Sequence, residues 1–388
     1  MTRFAFVTWD GGGNVPPAVG IAQELASRGH DIVFLGYEVQ RERFEAKELT
    51  FNALRQSGLF DMYRAHQPAE RIAGLMDNVW DCPQHLDDIP DAVAGSSADV
   101  LVIDFMMQGA LASAPHLSVP VAVLAHSSIA GLIPPPESPM GGARLAATNH
   151  LRECAGLDAL TRLPEAWIGY LTLVTTIPEL DPASAGADSL VRYVGPVFER
   201  FPAQVWDSPW ETDDDRPMVL VSFTTTRLWD QSGRTRNTLE ALAGEPLRVL
   251  VSAAQPWDFG PVPANAAIRQ FVPHTVVLPS VAVTVTHAGH GTVAASLAHG
   301  VPLVALPNPV ADQPFLAATI QQLGAGRALD GESGPEAIRR AVQEVLRRPS
   351  YAAAAGNLAL AIQAAPGAAG AADELEQLAL TGDTDDPW

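Results

Sequence analysis

The chain has 388 residues, 47% of them hydrophobic, with a formal net charge of −20. That length holds two domains with cores of their own, and that charge excludes nucleic acid and anionic membranes as partners held by bulk electrostatics. Its two cysteines, Cys82 and Cys154, make neither a disulfide framework nor a metal-ligand spacing. No apolar run approaches the ~20 residues of a membrane span, and Met1–Trp9 is too short for a signal-peptide core. The expectation is a cytoplasmic protein without membrane insertion.

Arg3–Trp9 reads as an apolar strand, followed by the turn Asp10-Gly11-Gly12-Gly13-Asn14-Val15-Pro16-Pro17 and a helix over Ala18–Arg28 with Val19, Ala22, Leu25 and Ala26 on one face. A second strand, Asp31–Gly36, completes a β-α-β start and implies a parallel sheet. No G-x-G-x-x-G follows the first strand, and the second ends Leu35-Gly36-Tyr37 without an acidic ribose reader, so a nicotinamide or flavin site is not expected. Phe51–Asp91 reads as irregular, short helices and loops. Asp99–Phe105 is a buried strand that ends at Asp104. Met106–His116 is a helix, and Val119–Ala125 is a strand ending at His126-Ser127-Ser128. The segment 134–142 is too rich in Pro and Gly for regular structure. Leu145–Leu157 and Ala166–Tyr170 read as helices, Leu171–Thr176 and Leu190–Val194 as strands.

Phe198–Pro217, with Trp206, Trp210 and Asp213-Asp214-Asp215, reads as a linker. A fresh β/α alternation follows: strands Met218–Phe223, Arg248–Ser252, Ile268–Val272, Val281–Thr286, Val301–Leu306 and Arg327–Leu329, with a helix over Arg236–Ala243 and others over Asp312–Leu323, Gly334–Arg348 and Tyr351–Ala364. Pro366–Ala372 reads as a break, and Ala372–Leu380 as a last helix. The strand Val281–Thr286 runs into His287-Ala288-Gly289-His290-Gly291-Thr292 and directly into an Ala-rich helix. A strand feeding a Gly-rich turn into a helix N-terminus is an anion site, because unpaired first-turn amides point at the ligand. The strand Val301–Leu306 ends at Pro307, and its loop delivers Asp312 and Gln313 to the same rim. Phosphate contacts beside a reader of hydroxyls point to a sugar nucleotide.

The stretch from His287 through Gly300-Val301-Pro302 to Asp312-Gln313 resembles the donor-binding signature of family 1 glycosyltransferases, most closely the bacterial antibiotic-tailoring enzymes. That resemblance implies an α/β, GT-B architecture: two Rossmann-like parallel-sheet domains facing across a cleft. Residues 1–200 would bind the acceptor, 217–365 the nucleotide sugar, and 366–388 would pack back on the N-terminal domain. Gly289, Gly291 and Thr292 would cradle the diphosphate with His287 donating to it. Phe271 would stack on the pyrimidine in Gln270-Phe271-Val272-Pro273-His274, with Val272 reading its edge and His274 reaching the ribose. The alternative for Phe271 is a core ring at a strand end. Ser222 and Thr224 would touch the phosphates, and Asp312 and Gln313 the sugar hydroxyls, their alternative being to cap the following helix. Ala295 stands where family members reading a ribose 2′-hydroxyl often carry Glu, which favours a dTDP-sugar over a UDP-sugar.

Inverting transfer needs a base for the acceptor's proton, and the family places His in G-H-x-x-P after the first strand. Here the residues are Gly13-Asn14-Val15-Pro16-Pro17, and Asn14 accepts no proton at neutral pH. The partner carboxylate resembles Asp104. Three readings stay open for an active enzyme. Asp104 is itself the base, or Asp10 or His126 on the same rim replaces the histidine, or the acceptor needs little deprotonation. Taken alone, His126 reads as a structural histidine. No metal and no cofactor beyond the nucleotide-sugar co-substrate is expected, since a helix dipole and His can neutralise diphosphate. The function implied is an inverting, metal-independent transfer of a sugar, a deoxysugar by preference, to a small natural-product acceptor. The alternatives are a donor-binding auxiliary of another glycosyltransferase and a sugar-nucleotide epimerase. Oligomeric state stays open.

Overall fold

Strand segments such as Phe4–Val7 and Leu101–Ile103 show no polar alternation, the pattern of strands covered on both faces, as in a parallel sheet. The computed structural model describes residues 1–65, 67–202, 206–211, 213–223, 230–255 and 258–382. It divides into two units, Met1–Arg200 with Pro366–Trp388, and Phe201–Ala365.

The first unit holds β1 (Arg3–Val7), β2 (Asp31–Gly36), β3 (Thr50–Ala53), β4 (Val100–Asp104), β5 (Val121–Ala125), β6 (Leu171–Val174) and β7 (Val191–Tyr193). They form one sheet in the order β3-β2-β1-β4-β5-β6-β7, parallel throughout. The second unit holds β8 (Met218–Ser222), β9 (Arg248–Ser252), β10 (Ala266–Arg269), β11 (Val281–Thr286), β12 (Leu303–Ala305) and β13 (Gly326–Ala328). Their order is β10-β9-β8-β11-β12-β13, again all parallel. In each sheet the chain grows outward over three strands, then returns to the middle and grows the other way. The reversal lies between β1 and β4 in one unit and between β8 and β11 in the other.

The structure departs from the sequence reading at several elements. The first helix spans Val15–Ser27, with both prolines in its first turn, where a missing N–H costs nothing. Pro139 opens a helix to Cys154 instead of lying in an irregular loop, because the Ser138 side chain caps it by accepting from the Gly141 amide. Residues 51–91 contain the start of a 12-residue helix, His85–Ser96, with Pro90 inside it. Only a 3₁₀ turn, Leu163–Ala166, stands near the helix expected over Ala166–Tyr170. β10 stops at Arg269, so Gln270–Pro273 is loop rather than strand.

The helix Pro349–Ala364 belongs to the second unit, and the next, Gly367–Thr381, to the first. Ala371, Ala372, Leu375 and Leu378 sit in one apolar cluster with Val19, Ile21, Ala22 and Leu25. At the rim Arg28 donates to Ala369 O, Asp373 and Glu376, and His30 Nε2 lies 2.8 Å from Glu376. His30, then Arg28, hold the Glu376 carboxyl below the usual carboxylate range. The apolar seam dominates, since exposed ion pairs contribute ~0–1 kcal/mol. Leu375 is fully buried, so Leu375→Ala is expected to destabilise the first unit by about 2–5 kcal/mol. Arg28→Ala should cost less, and urea unfolding midpoints of the two variants check the ranking.

Candidate functional site

The carboxyl edge of the second sheet collects one set of polar groups. Register places Thr286 beside Ser222 on one side and Ala305 on the other, so the turn after β11 lies between the ends of β8 and β12. The next helix, His290–Ala298, is N-capped by Gly289, whose carbonyl accepts from Thr292 and Val293. A Cβ on Gly289 would lie 2.5 Å from His287 Nε2, so only glycine lets the imidazole fold against this turn. Ala288 is buried with φ 63°, a left-handed conformation unfavourable for a side chain.

His287 is closely packed, and among the described residues its Nδ1 has no hydrogen-bond partner. Burial first, then the Arg234 charge, pushes its pKa down to about 3, so at neutral pH the ring is uncharged. Arg234 lies on the helix Ser232–Leu242, which starts four residues before the expected Arg236. It bonds Gly331 O, Gln231, Glu332 and the Asn308 side-chain oxygen. Asn308 in turn donates its backbone and side-chain N–H groups to Gln313 Oε1, at 3.0 and 2.9 Å. That leaves the Gln313 amide nitrogen as its outward donor. Asp312 is the N-cap residue of the helix Gln313–Gln322, and no side-chain hydrogen bond of its own caps that helix. Ala311 before it has φ 51°.

Phe271 is 54% exposed, 6.3 Å from the Phe201 ring, and is therefore no core residue. Val272 is buried in a cluster that includes Val277, Leu278 and Ala295. His274 starts a short helix, and burial, then His299, holds its pKa down to about 4. Ser222 ends β8, buried, and Thr224 lies outside the described residues.

The first unit gathers its polar groups at the ends of β1, β4 and β5. Asp104, 2% exposed, is ringed by donors: Trp9 Nε1 at 3.3 Å and the Met106 amide at 3.0 Å on one oxygen, His126 Nδ1 at 2.8 Å and Asn14 Nδ2 at 3.4 Å on the other. Asn14 also donates to Trp9 O at 2.7 Å and accepts from the Gly11 amide. Gly11 has to be glycine because a Cβ would meet the Trp9 ring at 2.5 Å. Asp10 is tied into a different pair, accepting from Tyr63 Oη at 2.6 Å and facing Arg43 at 3.3 Å. The structure thus brings Asp104, Asn14 and His126 together and ties Asp10 to Tyr63 and Arg43; the sequence reading had named both Asp10 and His126 as groups on this rim, while reading His126 taken alone as structural. The signal for His126 was its position two residues past Leu124, the registered neighbour of Asp104.

Beside this group is a small pocket of ≈ 20 Å³ lined by Phe105, Leu132, Ile133, Leu163, Trp167 and Arg144 among others. Phe105 meets His126 on one side and Trp167 on the other, at 5.8 and 5.7 Å between ring centres. Among the described residues, no group of three or more His, Cys, Asp or Glu side chains is placed to hold a metal ion.

Residues 236–378 match the model of the erythromycin biosynthesis protein CIII-like C-terminal domain. The chain is similar to 4′-demethylrebeccamycin synthase of Lentzea aerocolonigenes, 29% identical over 92% of this chain and 94% of that one. It is also similar to demethyllactenocin mycarosyltransferase of Streptomyces fradiae, 28% identical over 97% and 87%. Its fold is that of the glycosyltransferase VinC, solved in complex with dTDP, with TM-score 0.72 at 18% identity over 98% of this chain and 100% of the other.

The two depressed histidines give a pH signature. Their folded-state pKa values, about 3 and about 4, lie below the ~6.5 of an unfolded histidine. The unfolded chain therefore binds more protons in that window, and stability is full above about pH 6.5 and falls as pH drops toward 4. His287→Asn should flatten this acid limb of a plot of melting temperature against pH. An unchanged limb would show that His287 is not held neutral by its burial.

Proposed function

We propose that this chain is a glycosyltransferase of the antibiotic-biosynthesis type on the GT-B fold, and that it moves a deoxysugar from a dTDP-sugar to a small natural-product acceptor, with inversion and without a metal ion. The reading rests on one observation. A helix N-terminus, a neutral imidazole and a pinned glutamine amide lie along the carboxyl edge of β8, β11 and β12. The first-turn amides of the helix His290–Ala298 and its dipole favour a diphosphate over water, and favour it more as charge grows on the leaving oxygen. His287 adds a hydrogen bond without charge repulsion toward Arg234. Asp312 accepts from sugar hydroxyls, and Gln313, its oxygen held by Asn308, donates to them.

Phe271 offers an exposed face for a pyrimidine. Ala295 supports thymidine over uridine: it is 7% exposed within an apolar cluster beside Val272, and a methyl group gives a ribose 2′-hydroxyl no acceptor. The acceptor reading rests on the aromatic-walled pocket at Phe105 and Trp167. With room for little more than a water, it suits contact with one apolar edge of an aglycone rather than its enclosure.

The test is incubation with dTDP-deoxysugars and a panel of aromatic and polyketide aglycones in buffer containing EDTA, followed by NMR of the product's anomeric centre. Transfer with inverted configuration is the expected result. Gln313→Ala is expected to raise the KM for the dTDP-sugar about tenfold, the effect of ~1.4 kcal/mol, while inhibition by dTDP alone stays unchanged. Binding of dTDP without transfer to any acceptor would replace this reading with that of a donor-binding auxiliary, which Asn14 at the base position favours.

A further inference from the structure

We propose that the small pocket beside Phe105 is a hydroxyl-reading subsite, in which Gln108 Oε1 and Arg144 Nε together bind one hydroxyl on the edge of the acceptor. The inference rests on the glycosyl-transfer reading and adds to it the acceptor group that this chain selects.

Two buried polar atoms stand at that pocket without a partner. Gln108 is 4% and Arg144 6% exposed, and both line the ≈ 20 Å³ of space. Among the described residues, neither Gln108 Oε1 nor Arg144 Nε has a hydrogen-bond partner. A buried polar atom left unpaired has given up its hydration for nothing, so two of them beside one cavity call for an occupant that serves both.

Both side chains are held in place. Gln108 Nε2 donates to Phe105 O at 2.8 Å. A carbonyl only accepts, so the amide nitrogen is committed there and the oxygen is the atom left over. Arg144 comes from the helix Pro139–Cys154. Its Nη2 donates to Met106 O at 3.5 Å, and its guanidinium lies 5.3 Å from the centre of the Trp80 ring. Its Nε stands 3.3 Å from Asp81 Oδ2 but without the geometry of a hydrogen bond. Burial raises the Asp81 carboxyl to about 6 against the pull of Arg144, so at neutral pH it is ionised and offsets the guanidinium charge.

Size and chemistry then choose the occupant. The volume admits one water-sized group and no ring. A hydroxyl donates to Gln108 and accepts from Arg144 through a single heavy atom. A carboxylate would set its charge against Gln108 Oε1 and Asp81, and an ammonium would set its own against Arg144. A methoxy group accepts but does not donate. The subsite adjoins the polar rim of the sheet through Met106, whose amide donates to Asp104 at 3.0 Å while its carbonyl takes Arg144. A hydroxyl seated here therefore holds the apolar edge of an aglycone against Phe105, next to the buried carboxylate.

The experiment has two arms. The first measures kcat/KM with a dTDP-deoxysugar for the dihydroxynaphthalenes, their monomethyl ethers and the two naphthols, in wild type and in Gln108→Met, with melting temperatures alongside. The second is a crystal structure of the free protein. In wild type at least one dihydroxynaphthalene is expected to exceed both its methyl ether and the parent naphthol by about 10–100-fold, the worth of hydrogen bonds to a buried pair. Gln108→Met removes the accepting oxygen at nearly constant length and should bring that ratio close to one. If methionine proves unstable at this position, Gln108→Asn withdraws the oxygen by one carbon and gives the same comparison. The crystal should show one ordered water within hydrogen-bond distance of both Gln108 Oε1 and Arg144 Nε, in the place of the hydroxyl. A pocket without that water would overturn the subsite while leaving glycosyl transfer intact. So would a wild type indifferent to the second hydroxyl on every ring it glycosylates, which would make the pocket a water site only, or a ratio that survives the Gln108 variants. Binding of dTDP without transfer to any ring would overturn the transfer reading and this inference with it.

Discussion

A parallel sheet covered on both faces has nowhere to present chemistry except the ends of its strands. Where strand order reverses, the loops leaving two adjacent strands diverge to opposite faces and open a crevice at their carboxyl ends. Each unit has one such reversal. In the first it falls between β1 and β4, whose exits carry Trp9, Asn14 and Asp104. In the second it falls between β8 and β11, whose exits carry Ser222 and His287. Most of the residues that the proposed reaction uses lie at one of these reversals or just past the strand next to it; Phe271 instead follows the edge strand β10.

The two rims solve opposite electrostatic problems. The first buries a carboxylate, which is costly unless donors surround it, and Trp9, Asn14, Met106 and His126 do so. The second, in the proposed reading, attracts an anion, with backbone amides, an uncharged imidazole and Arg234 held back by Asn308 and Glu332. It also stores backbone strain. Ala288 and Ala311, both with positive φ, stand immediately beside the two segments proposed to hold the donor. Such conformations cost ~1–3 kcal/mol each and persist where the surrounding contacts determine them.

Much of this was legible in the chain itself. The strand, turn and helix around His287 to Thr292, and the place of the Asp312-Gln313 pair at the head of a helix, were legible because their local sequence signals follow one another directly. The both-face burial of the strands announced parallel sheets. What was not legible depended on contacts between distant segments. His126 and Asp104 are separated by a helix and a strand, and only the β4–β5 register brings them together. Arg234 was hidden because its helix begins earlier than its apolar pattern does, at Ser232, over polar residues. The helix Pro139–Cys154 was obscured by its own start signals, since Pro and Gly that read as loop composition occupy its first turn. Phe271 is not core, because β10 ends before it. Periodicity alone does not tell a strand's last residue from the first of its loop.

The most direct test of the account is calorimetric titration of the protein with dTDP and with UDP in metal-free buffer. The account predicts saturable binding of dTDP without added cations, and clearly tighter binding of dTDP than of UDP, because Ala295 offers nothing to a ribose 2′-hydroxyl. Binding of neither nucleotide would contradict it, leaving the turn at Gly289 and the Asp312-Gln313 loop as parts of a scaffold with no donor to hold.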